Sequence, residues 1–142
     1  MGAYDPQGRL IWCLSGSGQP TTINAAGNSG GWGDTPPAEY PSSAIDLGRA
    51  TDVTIIAAAT GITASPTWTV SLDLYDNQGN LIPAVLSLTA VTAANTPKTA
   101  SIGLHGPTAA TYMPLPLWGR ISWTLTGSGA AVSGAEISVW GR

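Results

Sequence analysis

The strongest constraint on the fold is the strict alternation of apolar and polar residues over positions 67–75. In an extended chain, alternate side chains project to opposite faces, so the apolar members of this segment share one face. Those members are Trp68, Val70, Leu72 and Leu74. A period of two is typical of a β-strand with one dry and one wet face. The segment therefore predicts a strand that covers a hydrophobic core on one side only.

Further stretches of the same kind follow one another along the chain, and turn-forming residues separate them. They are residues 53–58, 81–82, 85–91, 98–104, 117–126 and 135–140. Pro83 cannot donate a backbone hydrogen bond, so it indicates an edge strand or a bulge. No window has the periodicity of an amphipathic helix. We therefore predict an all-β fold, either an antiparallel β-sandwich or a jelly-roll-like barrel.

The composition changes near residue 43. Residues 15–42 are dominated by Gly, Ser, Pro, Thr and Asn, which disfavour long regular elements. The domain prediction is accordingly an extended Gly/Ser/Pro-rich N-terminal arm over residues 1–42 and a β-sandwich domain over residues 43–142. Structureless segments of this length are usually functional or disordered.

Charge and cysteine content argue against several classes of function. Only 9% of the 142 residues are charged, and the five basic residues are scattered, whereas nucleic-acid binding needs clustered cations. Cys13 has no second cysteine with which to form a disulfide or a thiolate metal site. The chain has no apolar run long enough to span a membrane and starts without the pattern of a signal peptide. We expect no nucleic-acid partner, no membrane partner and synthesis in a cytoplasm.

The motifs of enzymes and metal sites are missing from the sequence. His105 is the single histidine, and no partner for acid–base work stands beside it in the sequence. Residues 76–80 loosely resemble a calcium loop but lack its later bidentate acid, and turn chemistry explains them. We therefore expect no enzyme activity, no catalytic residue, no cofactor and no metal site. A small hydrolase, in which the fold would bring His105 to a carboxylate and a hydroxyl, stays an alternative.

The aromatic residues are the candidate contact residues. Trp and Tyr are enriched at protein interfaces because they bury large areas at low cost in conformational entropy. Outside the predicted sandwich, these residues are Tyr4, Trp12, Trp32 and Tyr40, and we predict that they form an interface. Trp118 and Trp140 either cover the ends of the sandwich or lie exposed. An exposed pair would permit a carbohydrate-stacking platform, a second alternative.

Two long segments of the second part of the chain carry a family resemblance. They are AIDLGRATDVTIIAAATGITASPTWTVSLDLYDNQGN and LPLWGRISWTLTGSGAAVSGAEISVWGR. Together with the variable strands between them, residues 43–142 resemble the small β-sandwich structural proteins of tailed bacteriophages, of the capsid decoration or minor capsid type. Arg120 matches the strand arginine of that family, for which the resemblance implies a structural role, pairing with an acid.

The resemblance implies a virion structural protein, most specifically a capsid decoration (cement) protein on the outer head lattice. The implied partners are the major capsid protein and copies of the chain itself, arranged as a cyclic oligomer such as a trimer. The implied location is the capsid surface of a virion assembled in the host cytoplasm. A tail or fibre component, or a carbohydrate-binding β-sandwich module, is the alternative.

Overall fold

The structure is a computed structural model that describes residues 8–14, 22–29, 44–48, 50–109, 111, 113–116 and 118–142. These residues form strands and loops without a helix, so the predicted all-β fold is confirmed. The strands are β1 (Arg9–Cys13), β2 (Gly27–Asn28), β3 (Ile45–Asp46), β4 (Asp52–Ala58), β5 (Gly61–Thr63), β6 (Thr67–Tyr75), β7 (Leu81–Ser87), β8 (Lys98–Gly103), β9 (Trp118–Thr126), β10 (Ala131–Ser133) and β11 (Glu136–Gly141). Over the same ranges, no helix has the length and apolar character needed to cross a membrane.

The strands pair antiparallel in two main sheets. A four-stranded sheet has the order β1-β11-β4-β8. A five-stranded sheet has the order β2-β9-β6-β7, and β3 also pairs with β9. β5 and β10 form a short ribbon of their own. The inner faces of the two main sheets share one core, as expected of a β-sandwich.

The core is built from the apolar positions that the alternation predicts. The apolar face of β6 is fully buried, with relative exposures of 0% for Trp68 and Leu72. The central strands of both sheets complete the core with Val53, Ile55, Ile121, Trp123, Ile137 and Val139. Full burial of one large aliphatic side chain contributes about 1.5–3 kcal/mol, so this layer is the main source of stability.

The polar face of β6 departs from the alternation of buried and exposed residues at Asp73, which is only 2% exposed. Its Oδ2 accepts a hydrogen bond from Arg120 Nε at 2.9 Å, and its Oδ1 accepts one from the backbone N–H of Ala84 at 2.7 Å. Arg120 thus pairs with an acid, as the resemblance implies. The ion pair joins β6 to β9, where the two residues face each other in register.

A bulge in β7 explains how a carboxylate on the outer face becomes buried. The register of β6 and β7 shifts between Leu72 and Leu74, where three β7 residues stand opposite Asp73. Ala84, in the middle of those three, has a φ of 49°. The bulge folds the β7 backbone over the carboxylate. Pro83 therefore marks both a bulge and an edge strand, because β7 is the last strand of its sheet.

The structure moves the start of the sandwich to a point before residue 43. β1 pairs with β11 at the edge of the four-stranded sheet, and β2 pairs with β9. Ile23 forms an isolated bridge with Val132. The described parts of residues 1–42 therefore lie in the sandwich and differ from the predicted arm. The cause is the apolar run that begins at Leu10, which completes a sheet edge.

The same observation corrects the predicted interface role of Trp12. It is 4% exposed and belongs to the core, so it has no free surface with which to form the predicted interface. The other three predicted interface residues, Tyr4, Trp32 and Tyr40, lie outside the described residues.

A core role for Trp12 predicts a large loss of stability in Trp12→Ala, of about 3–5 kcal/mol in the free energy of unfolding, because a cavity replaces the ring. Trp12→Phe should cost less than half of that, since an aromatic ring remains. Denaturant titration followed by far-UV circular dichroism measures both values. The control is Trp140→Ala at a 36% exposed position. A cost for Trp12→Ala no larger than for this control contradicts the core assignment.

The buried ion pair predicts that Arg120→Met lowers the free energy of unfolding by about 2–4 kcal/mol, since Asp73 keeps its burial and loses its cation. Lys98→Met, which removes a cation that forms no salt bridge among the described residues, should change it by less than about 0.5 kcal/mol. Equal effects of the two substitutions in urea titrations would show that the pair has no special role.

Candidate functional site

One row of side chains crosses the outer face of the four-stranded sheet. Leu10, Trp140, Thr54 and Ser101 stand next to each other in register on β1, β11, β4 and β8. Trp140 is 36% exposed, and its Nε1 donates a hydrogen bond to Ser138 Oγ at 2.9 Å. This bond fixes the orientation of the indole, so the row presents an ordered aromatic ring beside two hydroxyl groups.

An acid–imidazole pair lies at the end of this row. His105 Nδ1 is 2.7 Å from Asp52 Oδ2, and the backbone N–H of His105 donates to Asp52 Oδ1 at 2.7 Å. The Thr51 hydroxyl donates to Oδ2 at 3.1 Å. The Asp52 side chain is 13% exposed and that of His105 is 69% exposed. The carboxylate is therefore well held, whereas the imidazole reaches into solvent.

Gly103 makes this pair possible. It ends β8 opposite Asp52 with a φ of 141°. A Cβ at this position would stand 2.2 Å from the carbonyl oxygen of Thr51 and 2.6 Å from Asp52 Cα. Only glycine lets the two strands approach so closely, and the loop after β8 then places His105 over the carboxylate.

Hydrogen bonds hold the Asp52 carboxylate in its charged form. Burial raises the pKa of Asp52, but the hydrogen bonds from the His105 side chain, the His105 backbone and Thr51 outweigh it and hold that pKa below its ordinary value of 3.8. The carboxylate is therefore ionised near neutral pH and accepts hydrogen bonds from the backbone N–H and from Nδ1 of His105.

These groups surround a cavity of about 330 Å³. Its chemistry-bearing lining residues are Asp52, Thr54, Ser101, His105, Trp140 and Arg142. The hydroxyl oxygens of Thr54 and Ser101 are 2.8 Å apart and hydrogen-bonded to each other. The cavity thus combines one aromatic ring, two hydroxyls and an acid–imidazole pair.

The cavity contains the residue types that the hydrolase alternative requires, in a different arrangement. A serine hydrolase needs the imidazole to accept a proton from the nucleophilic hydroxyl. Here the hydroxyl groups of Ser101 and Thr54 bond to each other. The cavity therefore brings an imidazole, a carboxylate and two hydroxyl groups together, with the hydroxyls paired to each other. Among the described residues, no group of three or more His, Cys, Asp or Glu side chains could hold a metal ion.

A second surface lies on the edge of the five-stranded sheet. Residues 81–84, Leu-Ile-Pro-Ala, are all exposed and uncharged, and we call them the β7 ridge. Leu81 is 38% exposed and Ile82 is 45% exposed. The Asp73 carboxylate anchors the end of the ridge through Ala84 N–H. The ridge is therefore an apolar surface held in a fixed conformation.

The turn before the β7 ridge has the chemistry predicted for residues 76–80. Asp76 Oδ1 accepts hydrogen bonds from the backbone N–H groups of Gln78 and Asn80, each at 2.8 Å. The Asn80 side chain donates to Asp76 Oδ2 at 2.9 Å. Hydrogen bonds from Asn80, with smaller contributions from Gln78 and Gly79, lower the pKa of Asp76. The acid thus closes the turn that leads into β7.

Sequence reasoning names Asp52, His105 and Trp140 separately and does not group them into a site. Asp52 and His105 are 53 positions apart, so only the pairing of β4 with β8 shows that they meet. From the sequence, Trp140 either covers an end of the sandwich or lies exposed, and the structure exposes it. The alternation within residues 135–140 carries that signal, because it places Trp140 on the polar face of its strand.

Comparisons with protein-family models, curated proteins and solved structures find no match to this chain. The assignment of function therefore depends on the residues and their geometry.

The low pKa of Asp52 predicts how stability varies with pH. Because the folded pKa lies below that of the unfolded chain, the ionised carboxylate stabilises the fold above the unfolded pKa. This contribution is lost as the pH falls through the folded pKa. Asp52→Asn should therefore lower the free energy of unfolding at neutral pH by about 0.5–1 kcal/mol, a modest value because water screens the exposed imidazole.

The difference between wild type and Asp52→Asn should narrow below about pH 4, and urea titrations across this range measure it. Glu136→Gln, a change at an exposed acid on the same sheet, is the control and should follow the wild type at neutral pH. A constant difference between Asp52→Asn and wild type at all pH values would contradict the role of the carboxylate.

Proposed function

We propose that this chain is a structural protein of a tailed-bacteriophage virion, a capsid decoration protein that binds the outer head lattice and stabilises it. The observation that carries the proposal is the β7 ridge, an exposed and uncharged apolar edge on a rigid sandwich. The resemblance of residues 43–142 to small phage structural proteins supplies the virion context. The proposed partners are the major capsid protein and further copies of the chain.

The ridge has the properties of a contact surface. Leu81 pairs with Tyr75 and Ile82 pairs with Leu74 on the neighbouring strand, so the two exposed side chains project to opposite faces of the edge. A partner that receives the ridge would therefore contact it from both sides. Apolar surface of this kind gains about 25 cal/mol for each Å² that contact removes from water.

The structure of the edge also opposes uncontrolled pairing of sheets. Open strand edges invite another strand, and proteins block them with proline and bulges. Pro83 and the bulge at Ala84 lie within the ridge itself. A partner would thus bind the ridge through its side chains and not by adding a strand to the sheet. This mode of binding suits a specific subunit interface.

The scarcity of charge supports an assembled role. With 9% charged residues, the surface is covered mostly by Ser, Thr, Gly and Ala. Such a surface gives little electrostatic repulsion between neighbouring copies. On a lattice, many weak contacts acting together give firm attachment, so each ridge contact needs only modest affinity. A non-enzymatic role in the virion, with a cyclic oligomer such as a trimer, follows from the same proposal.

The proposal predicts that Leu81→Lys and Ile82→Lys each weaken attachment to purified heads by about 10-fold or more, because a charge would enter an apolar contact. The measurement is co-sedimentation of labelled protein with heads of the phage whose genome encodes the chain. Leu104→Lys is the matched control, because Leu104 is 39% exposed and Leu81 38% exposed. It should bind like the wild type.

Absence of the chain from purified heads of that phage would contradict the decoration role. Its presence only in tails or fibres would replace the capsid by the tail as the site of assembly. Wild-type attachment by both ridge variants, with the chain present in heads, would remove the ridge from the interface.

A further inference from the structure

We infer that the cavity beside Trp140 binds a neutral carbohydrate, with a pyranose ring against the indole and its hydroxyl groups among the polar lining residues. This site lies on the four-stranded sheet, whereas the β7 ridge lies on the five-stranded sheet. The inference does not depend on the proposed attachment to a capsid.

The size and shape of the cavity fit a small ligand. Its volume of about 330 Å³ falls at the lower end of the range, roughly 300–1,000 Å³, over which proteins bind small molecules. It lies at the end of the sheet, where β4, β8 and β11 bring their side chains together. One or two sugar rings could enter from solvent without a change in the backbone of the protein.

Trp140 provides the apolar wall. Its hydrogen bond to Ser138 Oγ fixes the ring before a ligand arrives, so ligand binding would cost little side-chain entropy. The C–H groups on one side of a pyranose carry small positive partial charges and favour the electron-rich face of an aromatic ring. The same contact removes apolar surface of both partners from water.

The polar lining matches hydroxyl groups, which both donate and accept hydrogen bonds. The hydroxyls of Thr54 and Ser101 both donate and accept, and the His105 imidazole adds hydrogen-bonding ring nitrogens to the same lining. These two hydroxyls already share one hydrogen bond, so each keeps capacity for one more partner. The site thus offers donors and acceptors side by side, as a ligand with neighbouring hydroxyl groups requires.

The charge in the cavity disfavours an anionic ligand. An anion would meet the Asp52 carboxylate, which lines the cavity and which the low pKa keeps ionised. A neutral ligand avoids this repulsion, and this selects neutral sugars over phosphorylated, sulfated or sialylated ones.

The test uses the full chain on an array that carries neutral oligosaccharides of glucose, galactose, mannose and N-acetylglucosamine, with sialylated and sulfated sugars beside them. Isothermal titration with the neutral oligosaccharide of highest signal then gives the affinity, and free monosaccharides as competitors distinguish recognition of one ring from recognition of a longer glycan. We expect binding to at least one neutral sugar, and we expect no binding that depends on a negative charge of the sugar.

Three variants test the site itself. Trp140→Ala should weaken binding by about 10-fold or more, and Trp140→Phe should restore part of it, since a ring is present again. Ser101→Ala should weaken binding by about 3- to 10-fold through the loss of one hydrogen bond. Circular dichroism on each variant confirms that the fold is kept.

Ser87→Ala is the matched control for Ser101→Ala. Ser71 and Ser87 form a hydroxyl pair with the same separation of 2.8 Å, on the other sheet and away from the cavity. This control should bind sugar like the wild type.

Several results would overturn the inference. One is a folded wild-type chain that binds no sugar on the array. Another is sugar binding that Trp140→Ala and Ser101→Ala leave unchanged, which would place the sugar elsewhere. A third is loss of particle attachment in Trp140→Ala without any sugar binding by the wild type, which would make this face a protein contact.

Discussion

The structure depends most on one buried carboxylate. Asp73 lies on the outward side of a central strand, and burial of its charge would be unfavourable without partners. Arg120 from β9 and the backbone N–H of Ala84 from β7 supply two charge-assisted hydrogen bonds. These bonds join three neighbouring strands at one point. They fix the register of β6 against β9 and hold the bulge of β7 in place.

This constraint shapes the outer surface that carries the proposed function. The bulge ends regular pairing at the edge and leaves four uncharged residues exposed beside a turn closed by Asp76. Farther along β6 and β9, hydroxyl residues face each other in register, as in the pairs Thr69–Thr124 and Ser71–Ser122. In the part of the chain that the structure describes, the sandwich therefore presents hydroxyl groups, an apolar edge at β7, and a cavity with an aromatic ring on the opposite sheet.

The sequence predicted the elements that depend on local pattern. The apolar face of residues 67–75, the turn at residues 76–80 and the double meaning of Pro83 all follow from periodicity and backbone chemistry. The pairing of Arg120 with an acid is an implication of the family resemblance, which does not identify the acid. The place of Trp12 was missed, because a run of five apolar residues does not show which sheet edge it will join.

Long-range pairing set the limit of the sequence analysis. The alternation predicts that Asp73 faces solvent, but the bulge of β7 covers it. That bulge depends in turn on the hydrogen bond that Asp73 accepts from Ala84. Asp52 and His105 meet only because β4 and β8 pair and Gly103 permits a close approach. No spacing rule relates two residues 53 positions apart. The candidate cavity therefore depends on which strands pair, whereas the strands that surround it follow from the local alternation of residues.

Native-state hydrogen exchange at the amide of Ala84 tests the central role of Asp73 most directly. An edge strand with an interrupted ladder would ordinarily exchange its amide protons quickly. If the buried carboxylate holds this amide as described, its exchange should be as slow as that of the amides that pair β6 with β9, and Asp73→Asn should accelerate it. Exchange of the Ala84 amide at the rate expected of an unfolded chain would contradict the account.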